Sequence, residues 1–186
     1  PLGVEPRWSA SDPDVVYHIA DTRLLAYNVA THVETLVRDF YEDFPGQNIQ
    51  AVWTRYEGSP SRDGRYWGLM AEDESWNAVA FLIYDLQEDQ IIAQRAVDSF
   101  DVDSVTISPL GNYFLAFCNE RCEGGASAAP TSRLPYPCGL LVFDRNLDAH
   151  DNLLPIVGHA DVALDAQGRE VLVYQDIVTD HIAMLD

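Results

Sequence analysis

Four times along this chain a short polar turn segment introduces runs of β-branched, aromatic and aliphatic residues. The turn segments are Ser9-Ala10-Ser11-Asp12-Pro13-Asp14, Ser61-Arg62-Asp63-Gly64-Arg65, Ser108-Pro109-Leu110-Gly111-Asn112 and Asp165-Ala166-Gln167-Gly168-Arg169. Each is followed, further on, by a run that closes on an apolar residue and then Asp or Asn. These closing runs are Leu24-Leu25-Ala26-Tyr27-Asn28, Phe81-Leu82-Ile83-Tyr84-Asp85, Leu140-Leu141-Val142-Phe143-Asp144 and Ile182-Ala183-Met184-Leu185-Asp186. A single unit of this size cannot bury its own apolar face, so successive copies must stack and share a core.

Strand signals fill each unit. Val15 to Ile19, Leu24 to Val29 and Thr35 to Arg38 serve the first; Arg65 to Met70, Ala78 to Tyr84 and Gln90 to Arg95 serve the second. Ser104 to Ser108, Tyr113 to Cys118 and Gly139 to Phe143 serve the third. Ala160 to Leu164, Glu170 to Gln175 and His181 to Asp186 serve the fourth. The stretch Ala30 to Tyr41 alternates as a strand does, at Thr31, Val33, Thr35 and Val37, better than it repeats as a helix. The glycines Gly64, Gly111 and Gly168 recur at intervals that suit a blade of roughly 40–50 residues with modest insertions. The expected fold is therefore all-β: a β-propeller or propeller segment of about four antiparallel blades, with units near residues 8–44, 57–98, 104–154 and 158–186. An outer strand is expected beyond Asp186, because a propeller closes into a ring to protect its edges, and the chain reads as part of a larger propeller.

The 186 residues suffice for a sizeable core, and 47% are hydrophobic. All 11 basic residues are Arg, against 30 acidic ones, for a net charge of -19. Such a surface repels nucleic acid and anionic membrane, which both require cations. No apolar run approaches the length of a membrane span. Cationic partners, metal ions or plain solubility are what this balance favours. Cys122 and Cys138 bracket a Gly-, Ala-, Ser- and Pro-rich loop, and a disulfide between them would close it in an oxidising compartment. That pairing sets the expected location as periplasmic or extracellular. Cys118 ends a strand-like run and reads as a buried thiol.

Ser61-Arg62-Asp63-Gly64-Arg65-Tyr66-Trp67 and Ser108-Pro109-Leu110-Gly111-Asn112-Tyr113-Phe114 resemble the Ser-Pro-Asp-Gly-Lys turn of TolB-like propeller repeats. The hydrophobic-Asp endings at Asp85 and Asp144 are similar to the same repeats and to Trp-Asp-repeat propellers. The resemblance implies a propeller fold and leaves function open, since propellers host lyases, peptidase gates, receptors and scaffolds. The first unit departs from it, with Asp12-Pro13-Asp14 where the turn glycine belongs.

Candidate chemistry gathers at Gly158-His159-Ala160-Asp161, just before a strand. His159 and Asp161 are the pair that would share a divalent metal ion or act as acid and base. The rival reading gives His159 a structural hydrogen bond to a neighbouring blade. Oligogalacturonate lyases are propellers of similar repeat type with a channel metal held by histidines, which makes a metal-assisted polysaccharide lyase the alternative function. His18, His32, His150 and His181 show no ligand spacing. Asp144, Asn146 and Asp148 alternate as calcium-loop oxygens do, but Ala149 stands where Gly is needed, so a solvated turn is expected there and at Asp101 and Asp103. Trp53 and Trp76 lie near connections and are the aromatic residues best placed to stack on a carbohydrate or protein ligand. Trp67, directly behind its turn, belongs to the core. The favoured reading is a ligand- or protein-binding propeller module.

Overall fold

The structure, a computed structural model, describes residues 6–54, 60–100, 102, 104–117, 140–148, 157–176 and 181–185. They form four antiparallel sheets, each built from strands consecutive in the chain. The first sheet holds β1 (Arg7–Trp8), β2 (Val15–Ala20), β3 (Arg23–Asn28) and β4 (Val33–Asp39). A 3₁₀ turn, Phe40–Asp43, leads to the second sheet: β5 (Ile49–Trp53), β6 (Tyr66–Asp73), β7 (Ala78–Asp85) and β8 (Gln90–Phe100). The third comprises β9 (Ser104–Ile107), β10 (Tyr113–Phe117) and β11 (Leu140–Asp144). The fourth comprises β12 (Val157–Leu164), β13 (Glu170–Asp176) and β14 (His181–Leu185). No α-helix occurs among the described residues, and none of their segments is a helix long and apolar enough to cross a membrane.

The sheets stack face to face, and strand alternation explains how. In the second sheet Trp67, Leu69, Leu82 and Tyr84 pack with Ile19 and Leu24 of the first sheet. Their neighbours in the same strands, Met70, Phe81 and Ile83, point the other way and pack with Val105, Phe114, Leu141 and Phe143 of the third. Leu115, Leu140 and Val142 then meet Val162 and Leu172 of the fourth. Trp67 is buried, as its place behind the turn implied. Backbone bonds cross between sheets as well: the Val52 N–H donates to the Asp21 carbonyl (2.9 Å) and the Val105 N–H to the Thr54 carbonyl (3.0 Å).

The repeated sequence features turn out to be hydrogen-bonding devices. The Ser61 and Ser108 hydroxyl oxygens accept from the Tyr66 and Tyr113 N–H groups, each at 2.9 Å, and Asp165 Oδ1 accepts from the Arg169 N–H at 2.8 Å. Gly64, Gly111 and Gly168 each donate back to the carbonyl of the residue that opens the turn. The first unit has no such glycine; its turn is longer, and Ser9 Oγ accepts from the Ser11 and Asp12 N–H groups. In the first three units the Asp or Asn after the closing run caps the next turn; Asp186 lies outside the described residues. Asn28 Oδ1 accepts from Ala30 and Thr31, Asp85 Oδ1 from Gln87 and Glu88, and Asp144 Oδ1 from Asn146 and Asp148.

The described strands differ from the expected ones at several points, and β12 begins at Val157, so Gly158 to Asp161 lie within a strand and not just before one. Arg7–Trp8 and Ile49–Trp53 open their sheets as strands, and the second of them lies ahead of the unit start expected near residue 57. β6 runs past Met70, its expected end, through Glu72 and Asp73, with Glu72 fully buried.

Candidate ligand-binding site

Antiparallel order places the β6–β7 turn and the β4–β5 connection at one end of the second sheet, with the Gly64 turn at the other. The β6–β7 turn is tied by Asp73. Its Oδ1 accepts from the Ser75 N–H (2.9 Å) and the Asn77 N–H (3.0 Å), and its carbonyl accepts from the Trp76 N–H (3.0 Å). The Asn77 N–H, foremost among these donors, holds the Asp73 carboxyl below the usual carboxylate range. The turn leaves Trp76 in the left-handed region at φ 64°, uncommon for so bulky a residue. Trp76 is 44% exposed.

Its ring meets that of Trp53, the last residue of β5, with centroids 5.7 Å apart and planes at 38°. Trp53 is half-buried and also packs against the cores on both sides of the second sheet. The two aromatic residues singled out in the sequence are thus one unit: an anchored ring supporting an exposed one. The same turn, through Asp73, Glu74 and Ser75, lines a cavity of about 410 Å³ with Gln47, Asn48, Ile49 and Val79. Its polar side chains are amides, carboxylates and the Ser75 hydroxyl, with no cation.

Asp161 lies elsewhere, on β12. Its Oδ1 accepts from its neighbour's N–H, Val162, at 2.7 Å. It lines a second cavity, of about 380 Å³, together with Arg62 and an apolar remainder that includes Pro60, Ile107, Pro109 and Leu164. His159 falls in the same strand, but its side chain is outside the described residues. Whether the two share a metal rests on that His159 side chain. The Asp161 cavity offers one carboxylate beside a guanidinium, and no group of three or more metal-ligating side chains occurs among the described residues.

The remaining candidates scatter. His18 Nε2 lies 2.9 Å from Glu34 Oε2, His32 Nδ1 lies 2.9 Å from the Tyr27 hydroxyl, and His181 is exposed opposite Asp176. Asp144, Asn146 and Asp148 form a turn closed by their own backbone N–H groups. Cys118, Cys122, Cys138, His150, Asp101 and Asp103 lie outside the described residues, and so does the Cys122–Cys138 disulfide expectation. Arg62, in the sequence simply part of a turn, is the one cation in the lining of the Asp161 cavity.

No family model matches the chain, and no curated protein matches it either. Solved structures do. An oligogalacturonate lyase in complex with manganese matches 98% of this chain and 47% of its own, with a TM-score of 0.56 and 11% identity. The tricorn protease matches 94% of this chain and 15% of its own, with a TM-score of 0.51 and 15% identity. Both are β-propeller folds, and the chain spans about half the length of the lyase. At these identities the likeness carries the architecture alone, so the resemblance to TolB-like and Trp-Asp repeats holds at the level of the propeller. The chain is an all-β propeller segment of four antiparallel sheets.

Proposed function

We propose that this chain is a ligand-binding propeller module that holds a neutral carbohydrate against Trp76, at the end of the sheets where the β6–β7 turn emerges. The observation that supports this most is the Trp53–Trp76 pair, with Trp76 44% exposed and backed by a half-buried ring 5.7 Å away. A sugar ring presents a flat apolar C–H face to an indole and hydroxyls to its rim. Gln47, Asn48 and Glu74 supply amides and a carboxylate for those hydroxyls. With no cation in that lining and a net charge of -19, acidic polysaccharides are disfavoured.

Titration with a panel of neutral, acidic and basic oligosaccharides tests the reading. Trp76→Ala should weaken the best neutral ligand by about ten-fold, about 1.4 kcal/mol, since an aromatic ring covered by its ligand is a typical binding hot spot. Unchanged affinity in that variant, or preference for a basic peptide over every sugar, would overturn it. The alternative, a metal-assisted lyase using His159 and Asp161, is supported by the fold likeness alone and stands or falls on the metal content of the purified chain.

The same reading takes the four sheets as part of a larger propeller. Trp8 (63% exposed) and Leu36 (57%) lie on the outward face of the first sheet. Ile182 (81%) and Met184 (65%) lie on that of the fourth. Further blades would cover them.

A further inference from the structure

Arg62 stands apart from the other arginines. Arg38 pairs with Asp43 and Asp89, Arg65 with Asp85, Arg169 with Asp165, and Arg23 approaches Asp21. Arg95 and Arg145 donate to the carbonyls of Leu147 and Gly111. Arg7 has a partner as well. Among the described residues, Arg62 is the arginine whose side chain has none. On a chain with 30 acidic residues and 11 arginines, an uncommitted guanidinium is out of character.

Its surroundings give it a task. Arg62 lines the cavity of about 380 Å³ to which three successive sheets contribute. Pro60 and Arg62 come from the approach to β6, Ile107 and Pro109 from the end of β9, and Asp161 and Leu164 from β12. The Arg62 N–H donates to the Pro109 carbonyl at 2.8 Å, which fixes the guanidinium-bearing turn against the third sheet. The volume is that of a small-ligand pocket. Arg62 and Asp161 are both on its wall, yet they form no ion pair, so each charge is left for a third body. A guanidinium presents two parallel donors to a carboxylate, while Asp161 suits an N–H or ammonium donor. The rest of the lining, Pro60, Ile107, Pro109, Val162 and Leu164, is aliphatic side chain with no hydroxyl-binding group.

We propose that this cavity binds an apolar α-amino carboxylate: the carboxylate on Arg62, the nitrogen toward Asp161 and the side chain on the proline and aliphatic wall. A free aliphatic amino acid and the C-terminal residue of a peptide share that chemistry. This site is separate from the tryptophan pair and does not depend on it.

Calorimetric titration of the whole chain with L-leucine, the tripeptide Ala-Ala-Leu and its C-terminal amide distinguishes the sources. The amide should bind about ten-fold or more weakly than the free acid, and Arg62→Gln should erase that difference. Asp161→Asn should weaken L-leucine, which carries a full ammonium, more than the tripeptide, whose leucine nitrogen is a neutral amide. Trp76→Ala should leave all three titrations unchanged, which separates this site from the carbohydrate reading. Equal binding of acid and amide, tighter binding of galacturonate than of leucine, or no binding at millimolar concentration would each overturn the proposal. Both charged side chains are exposed, so the variants retain the fold.

Discussion

Gly111 has two reasons to be glycine, and they can be weighed separately. Its φ is +71°, and a Cβ there would sit 2.6 Å from Tyr66 Cδ2. The Tyr66 ring has little freedom to retreat, because the Arg145 guanidinium lies 4.6 Å over it and that of Arg65 lies 5.1 Å away. Gly168 shares the backbone conformation, at φ +77°, but a Cβ there meets nothing within 4 Å. Gly168→Ala should therefore cost only the left-handed strain, about 1 kcal/mol, whereas Gly111→Ala adds a steric clash and should cost about 2–3 kcal/mol. Urea denaturation of both variants measures the difference; equal losses would show that Tyr66 yields freely. The turn glycines were legible in the sequence because the left-handed conformation selects for them. Tyr66 as the second constraint on Gly111 was not, since it comes from the neighbouring sheet. Arg62 was illegible for a related reason: a guanidinium without a partner can be recognised only once every other partner is placed.

At the scale of the strand, exposure separates residues of similar kind. Phe81, Phe114 and Phe143 form an aromatic cluster between the second and third sheets, with centroids 5.1–6.0 Å apart. Phe114 is 0% exposed, so Phe114→Ala should cost about 3–5 kcal/mol through lost transfer energy and the cavity left behind. Leu36, 57% exposed on the outward face of the first sheet, should change stability by less than about 1 kcal/mol when replaced by Ala. Thermal and denaturant unfolding of the two variants decides it, and a large loss at Leu36 would mean that its face is covered. The closing runs were easy to read because Phe81 to Tyr84 are buried on both faces and stay apolar throughout. The opening strands were harder. β1 has only two residues, and in β5 a bulge between Ile49 and Ala51 sets Gln50 out of phase, so the alternation that marks a strand is broken. Trp53 and Trp76 could be chosen as aromatic residues near connections, but their pairing depends on the β5–β6 register and on the turn conformation that Asp73 imposes.

Across the whole molecule two forces oppose each other at the ends of the stack. The net charge of -19 keeps copies of the chain apart. The outward faces of the first and fourth sheets, with Trp8, Leu36, Ile182 and Met184 exposed, favour contact with another sheet. Ionic strength decides between them, because the Debye length falls from about 30 Å at 0.01 M to about 3 Å at 1 M. Adding salt should therefore do two things: raise the unfolding midpoint, by screening repulsion within each chain, and bring on association through the apolar end faces. Sedimentation velocity and thermal unfolding across a salt series separate the effects. The double variant Ile182→Ser, Met184→Ser should lose most of the salt-induced association and keep the salt-induced stabilisation, since neither residue is charged and both are largely exposed. Association that survives unchanged in the variant would move the contact away from the fourth sheet and weaken the case for further blades beyond it. A midpoint that falls with salt would mean that attractive pairs, such as Arg38 with Asp43 and Arg65 with Asp85, outweigh the repulsion of the acidic surface.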